Sequence, residues 1–136
     1  MSRFYVGPYI NFQGKAREAM EFYQKVLGGK LELQSATEQG APKPAGPGDR
    51  ITHARLDADG AVVTGTDGHP SYPPTVGDNW AVAVGGTDKA RLTKIFNDLA
   101  AGGKVKGPLT EHPGGSAVGW LSDKFGVGWV VSIDKA

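Results

Sequence analysis

The 136-residue sequence has no cysteine. That absence excludes disulfides, zinc–thiolate sites, iron–sulfur clusters and cysteine nucleophiles together, and it is compatible with a reducing compartment. An excess of one charge is also lacking: 15 Lys+Arg stand against 14 Asp+Glu, a formal net charge of +1. Nucleic-acid binders normally carry a basic surplus or a basic stripe. Here Lys15, Arg17, Lys25 and Lys30, and again Lys89, Arg91, Lys94, Lys104 and Lys106, are scattered among acids. Such charges solvate helix and strand surfaces, so no nucleic-acid partner is expected. No apolar run approaches the roughly 18 residues of a membrane span. The opening stretch Met1-Ser2-Arg3-Phe4-Tyr5-Val6 has no signal-like apolar core before Gly7-Pro8. The expectation is a cytoplasmic protein with no membrane contact.

What is abundant is glycine, 21 residues, with 9 prolines, grouped in turns as expected for many short strands joined tightly. A chain of this length buries roughly two-thirds of its unfolded surface, so it needs neither disulfide nor metal to fold, and it suits a single domain.

Tyr9-Ile10-Asn11-Phe12 is short and apolar and reads as a strand. A helix is predicted from about Lys15 to Leu27, because Ala16, Ala19, Met20, Tyr23, Val26 and Leu27 fall on one helical stripe. Gly28-Gly29 ends it, and Lys30–Gln34 alternates like a half-buried strand. Gly40 to Gly48, with three prolines, reads as a long loop. Ile51–Leu56 and Ala61–Thr66 then flank Asp57-Ala58-Asp59-Gly60 as a hairpin. A second Pro-rich connection runs from Gly68 to Gly77. The pattern starts again with a strand at Trp80–Val84 and a helix at Lys89–Ala101 whose stripe is Leu92, Ile95, Phe96 and Leu99. Gly102-Gly103 and a strand beginning at Lys104 follow. After a loop at Gly107–Gly115, a hairpin joins Ala117–Leu121 to Val127–Ile133.

The two halves repeat. Phe22–Leu31 resembles Phe96–Val105 at an offset of 74, whereas the apolar stripes align at 73, so a one-residue slip near the helix end is expected. Each half reads β-α-β-β-β.

This repeat resembles the vicinal oxygen chelate superfamily, which holds glyoxalases, extradiol dioxygenases and bleomycin-resistance proteins, and within it the PhnB-like branch. The segments that carry the resemblance are Tyr9–Gly14, Ala16–Ala19, Phe22-Tyr23, Leu27–Gly29, Thr52–Leu56, Thr66-Asp67 and Asp123–Trp129. The resemblance implies an α+β fold, two tandem β-α-β-β-β modules forming a curled, cup-shaped mixed sheet with helices outside. It implies one glyoxalase-like domain over 1–136, with module 1 at about 4–68 and module 2 at about 78–134, and a homodimer around a small-molecule ligand.

Superfamily enzymes commonly hold a divalent ion through His and Glu. Carried across, the ligand positions fall on Tyr9, Ala81 and Val130, with about Thr64 as the fourth, and none supplies the expected donor. No metal site and no cofactor are therefore expected. His69 and His112 each precede a proline in a loop and read as exposed loop residues. His53 lies in a predicted strand on the face of Ile51 and Arg55 by the two-residue period. It is the candidate catalytic residue, as a general base or an oxygen-binding group. Arg55, Tyr9, Asn11, Asp67, Trp120 and Trp129 are the candidate ligand-binding residues, the aromatics as pocket walls. Three functions follow: a metal-independent glyoxalase-like enzyme or binding protein, an antibiotic- or metabolite-sequestering protein, and a metal-dependent lyase or dioxygenase with displaced ligands. No Ser-His-Asp arrangement, nucleophile elbow, phosphate loop or dinucleotide fingerprint is present.

Overall fold

A computed structural model describes residues 4–135. The chain divides into two compact units, one reaching Thr75 and one beginning at Val76. The first holds β1 (Tyr9–Asn11), α1 (Ala16–Leu27), β2 (Lys30–Ala36), β3 (Pro42–Pro44), β4 (His53–Ala58) and β5 (Ala61–Thr66). Its sheet runs β1-β5-β4-β2-β3, with β1 parallel to β5 and the remaining pairs antiparallel. The second holds β6 (Val82–Gly86), α2 (Lys89–Ala100), β7 (Lys104–Glu111), β8 (Ala117–Ser122) and β9 (Gly128–Ile133). Its sheet runs β6-β9-β8-β7, again with first and last strands parallel. The architecture is α+β, two helices and two open mixed sheets, as the resemblance implied. No helix among the described residues is long and apolar enough to cross a membrane.

The helical stripes explain the cores. Ala16, Ala19, Met20 and Tyr23 of α1 are buried, and α1 packs on β4, whose inward residues are Ala54, Leu56 and Ala58. In the second unit Leu92, Ile95, Phe96 and Leu99 of α2 share a core with Trp129, Val131 and Ile133 of β9. Burying each large side chain contributes about 1.5–3 kcal/mol. The Asp123 carboxylate, almost fully buried, closes the β8–β9 turn by accepting from Phe125 N, Val127 N and the Trp129 indole N–H. A buried charge is tolerated there because donors surround it.

The slip is present in the structure. Ala16 to Lys89, the helix starts, is 73 positions, and Lys30 to Lys104, the following strands, is 74. One extra residue, the C-cap Ala101, accounts for it. The repeated glycines meet one packing demand. A Cβ on Gly29 would overlap the Asp57 carbonyl oxygen, and one on Gly103 the Ser122 carbonyl oxygen.

Two proline-bearing segments read as loops contain strand. Pro42–Pro44 is the edge strand β3, paired with β2 at Gln34–Ala36. Residues 107–111 extend β7 with register shifts around Gly107. Both are sheet edges, where a proline costs no ladder bond and bulges are tolerated. A third difference concerns Ile51. The strand begins only at His53, after a bend at Thr52, so the fully buried Ile51 does not share the face of His53.

Candidate functional site

In the first unit, α1 covers one face of the sheet and leaves the other open. Strand register places Tyr9 opposite Thr64, Thr64 opposite Arg55, and Arg55 opposite Glu32 in one row across that open face. His53 lies opposite Gln34, and Asn11 opposite Thr66. Arg55 is already engaged: its Nε and Nη2 donate to Asp57 at 2.8 and 3.1 Å, and its guanidinium lies 4.5 Å from the Tyr5 ring centre. The Asp57 hydrogen bond raises the Arg55 pKa above its ordinary value.

The superfamily's metal positions can be tested on this register. Tyr9 and Thr64 are paired neighbours, and Val130 pairs with Ala83 rather than with Ala81, which precedes β6. The side chains at these places are a phenol, a hydroxyl and apolar groups, which do not fit a divalent ion that wants His and carboxylate donors. Among the described residues no group of three or more His, Asp or Glu is placed to hold a metal.

A cavity of about 600 Å³ opens at the end of the sheet where β1, β2 and β5 finish and β4 begins. Tyr9 and Asn11 of β1, Ser35 and Ala36 of β2 and Thr66 of β5 form its floor. Its rim comes from the connections, with Arg50 and Thr52 before β4 and Gly68, His69 and Tyr72 after β5. An adjoining hollow of about 390 Å³ shares Asn11, Arg50, Gly68 and His69 and reaches Asp67. Tyr9 and Tyr72 are 63% and 77% exposed as whole residues, so the aromatic walls stand open to solvent.

Local hydrogen bonds set this rim. Asp67 accepts from Ala16 N at 2.8 Å through Oδ1 and from Ile51 N at 2.7 Å through Oδ2. It thereby caps α1, whose N-cap Lys15 offers no side-chain bond, and holds the residue after Arg50. Asn11 Oδ1 accepts from Gln13 N at 2.9 Å, stabilising Gln13 in the left-handed region at φ 53°. Gly68, at φ 85°, lies so close to Asn11 that a Cβ would come within 2.6 Å of its amide. His69 Nδ1 accepts from Ser71 N at 3.0 Å. The network therefore places the neutral ring's proton on Nε2. The His69 ring also rests 5.6 Å from that of Tyr72.

Of the sequence candidates, the cavity gathers Tyr9 and Asn11, and Asp67 lines the adjoining hollow. His53 and Arg55 stand on the open face outside its lining. Trp129 belongs to the core of the second unit at 1% exposure, and Trp120 stands 49% exposed over Gly107 on the open face of that unit's sheet. Arg50, His69 and Tyr72 also line the cavity and were not among the candidates, His69 being the exposed loop residue expected. The available signal was an aromatic and a histidine inside a ten-residue Pro-rich connection, since loops carried by a rigid sheet commonly bear binding residues.

A family model described as 3-demethylubiquinone-9 3-methyltransferase matches residues 5–132. The chain is similar to the solved structure of protein PA1353 from Pseudomonas aeruginosa, 34% identical over 98% of this chain and 100% of that one, TM-score 0.83. It is also similar to a putative 3-demethylubiquinone-9 3-methyltransferase, PhnB protein, from Bacillus cereus, 26% identical over 96% and 100%, TM-score 0.74. A glyoxalase/bleomycin resistance protein/dioxygenase family enzyme from Burkholderia phytofirmans PsJN shares the fold, 15% identical over 93% and 94%, TM-score 0.57. With its length matched almost throughout, the chain belongs to the PhnB-like family that this model describes.

Proposed function

We propose that this protein binds a small organic molecule in the cavity of its first unit, and does so without the divalent ion used elsewhere in the superfamily. The observation that carries this reading is the cavity itself. Its volume lies in the range of small-ligand sites. It combines two solvent-exposed tyrosines with Arg50, which makes no hydrogen bond or ion pair among the described residues. Tyr9 and Asn11 contact the ligand, and Asp67 is a positioning residue that fixes the rim. His53 and Arg55 stay outside the contact set, because Arg55 is held by Asp57.

The test is binding of small ring probes such as benzoate and benzamide, followed by NMR shifts of Asn11, Gly68 and Tyr72. Ala36→Trp fills the cavity from the floor and should abolish the shifts while the melting temperature changes by less than about 4 °C. Shifts that persist in the filled variant, or that centre on the second unit, would overturn the reading. Methyl transfer, the activity in the family model's description, requires a methyl donor beside the acceptor. A methylated product on supplying a sulfonium donor would replace binding by catalysis.

We also propose a homodimer, supported by the half-exposed Trp120 on an open sheet face, since large bare aromatics commonly mark interfaces. A mass of one chain in solution at about 100 µM, well above the Kd expected of a specific dimer, would rule it out.

A further inference from the structure

The polar groups around the cavity are used unevenly. Asn11 Oδ1, Thr66 Oγ1 and His69 Nδ1 each accept from a backbone N–H within two residues along the chain. Both Asp67 oxygens accept from backbone N–H groups as well. The groups that remain without a partner among the described residues are three pure donors, the Asn11 amide Nδ2, the His69 Nε2–H and the whole Arg50 guanidinium, and the hydroxyls of Tyr9, Ser35 and Tyr72, which donate as readily as they accept. The fold has turned the acceptors inward onto its own backbone and left the rim rich in donors. A ligand that enters must supply acceptors, because an unmatched buried donor costs about 1–3 kcal/mol.

We infer that the cavity takes an aromatic or conjugated monocarboxylate. This rests on the reading of the cavity as the binding site and names the ligand class for it. The ring is specified by Tyr9 and Tyr72, whose exposed faces favour offset or edge-on aromatic contact. The carboxylate is specified by Arg50, whose planar fork matches two carboxylate oxygens, with the Asn11 and His69 donors beside it. The single negative charge follows from the count of ions. One cation lines the cavity, while the Asp67 carboxylate lies in the adjoining hollow. A phosphate monoester dianion would place a second, uncompensated negative charge near Asp67, and a cationic ring would meet Arg50.

The experiment measures Kd for benzoate, benzamide, phenyl phosphate and benzylamine on the full chain at pH 7.5, read by NMR shifts of the cavity residues. Benzoate should bind about tenfold or more tightly than benzamide, a preference worth one charge-assisted pair, and should weaken as salt rises. Phenyl phosphate should bind no more tightly than benzoate. Arg50→Gln should bring benzoate to the level of benzamide and leave benzamide within about twofold, whereas Arg50→Lys should keep part of the preference. Arg50 is an exposed residue with no partner to lose, so both variants should melt within about 2 °C of the parent. Equal binding of benzamide or benzylamine, or a preference untouched by Arg50→Gln, overturns the inference while the cavity reading stands. Tighter binding of phenyl phosphate overturns it in favour of a phosphate ester. If none of the four rings binds, the cavity reading fails along with it.

Discussion

The two units share a strand order, a parallel pairing of first and last strands, and a glycine forced against a hairpin carbonyl. They differ in how the helix begins. In the second unit the N-cap is local: the Asp88 side chain accepts from Arg91 N. In the first unit Lys15 offers no such bond, and the cap is borrowed from Asp67, 51 positions away from Ala16. A local cap satisfies the helix and nothing more. A borrowed cap ties the end of β5, the start of α1 and the approach to β4 to one carboxylate. Those are the segments that rim the cavity. The difference shows how one scaffold can let a necessary structural bond hold separate loops in register.

The largest effect should confirm what the units have in common. Gly29→Ala and Gly103→Ala each drive a Cβ into a backbone oxygen, which cannot rotate away as a side chain can. Each should destabilise by about 3 kcal/mol, the upper part of the range for overpacking. Gly29 should be the worse, since it also holds φ at 93°. Chemical denaturation of the two variants measures this. A harmless Gly103→Ala beside a severe Gly29→Ala would show that the shared sequence pattern hides different packing.

The next effect should separate the units. Asp67→Ala removes the acceptor of two backbone N–H groups and should cost about 2 kcal/mol, against about 1 kcal/mol for the local cap in Asp88→Ala. Asp134 follows β9 as Asp67 follows β5, but among the described residues its exposed carboxylate meets only the Ser132 hydroxyl at 3.2 Å. Asp134→Ala should stay within about 0.5 kcal/mol. Only Asp67→Ala should also weaken ring binding, and Asp67→Asn, which keeps one acceptor, should restore part of it. Equal losses of binding in Asp67→Ala and Asp88→Ala would dissolve the distinction between a borrowed cap and a local one.

Much of the scaffold could be read from the chain because its signals are local. The stripes of α1 and α2, the paired glycines and the slip from 73 to 74 are short-range consequences of helical period and capping. The edge strand β3 and the second half of β7 were hidden because proline and glycine disqualify a central strand but not an edge. The cavity was only half legible. Tyr9 and Asn11 stood out through their place on a first strand. Arg50 and His69 are brought together by Asp67 across a separation that no spacing rule encodes. His53 was favoured by an alternation that holds with Arg55 inside β4 and breaks only at Ile51, before the bend at Thr52, and Trp129 by its ring, whose indole N–H is taken by Asp123 inside a core.

The smallest effect concerns the loop that delivers Arg50. Asp49 accepts from Gly46 N at 2.8 Å, and Lys43 Nζ lies 3.7 Å from the same oxygen. The Gly46 hydrogen bond first, and the Lys43 charge second, hold the Asp49 carboxyl below the ordinary carboxylate range. A folded pKa below the unfolded one means that the carboxylate steadies the loop above the unfolded value. That contribution is lost as pH falls through the lower, folded value. The Gly46 amide should therefore shift with a midpoint below that of an unstructured aspartate. Because Lys43 and Asp49 are both partly open to solvent, salt should move the midpoint back upward as the Lys43 charge is screened. A Gly46 midpoint at or above the ordinary value would mean that this loop is held by the Arg17–Gly46 and Asp67–Ile51 bonds rather than by Asp49.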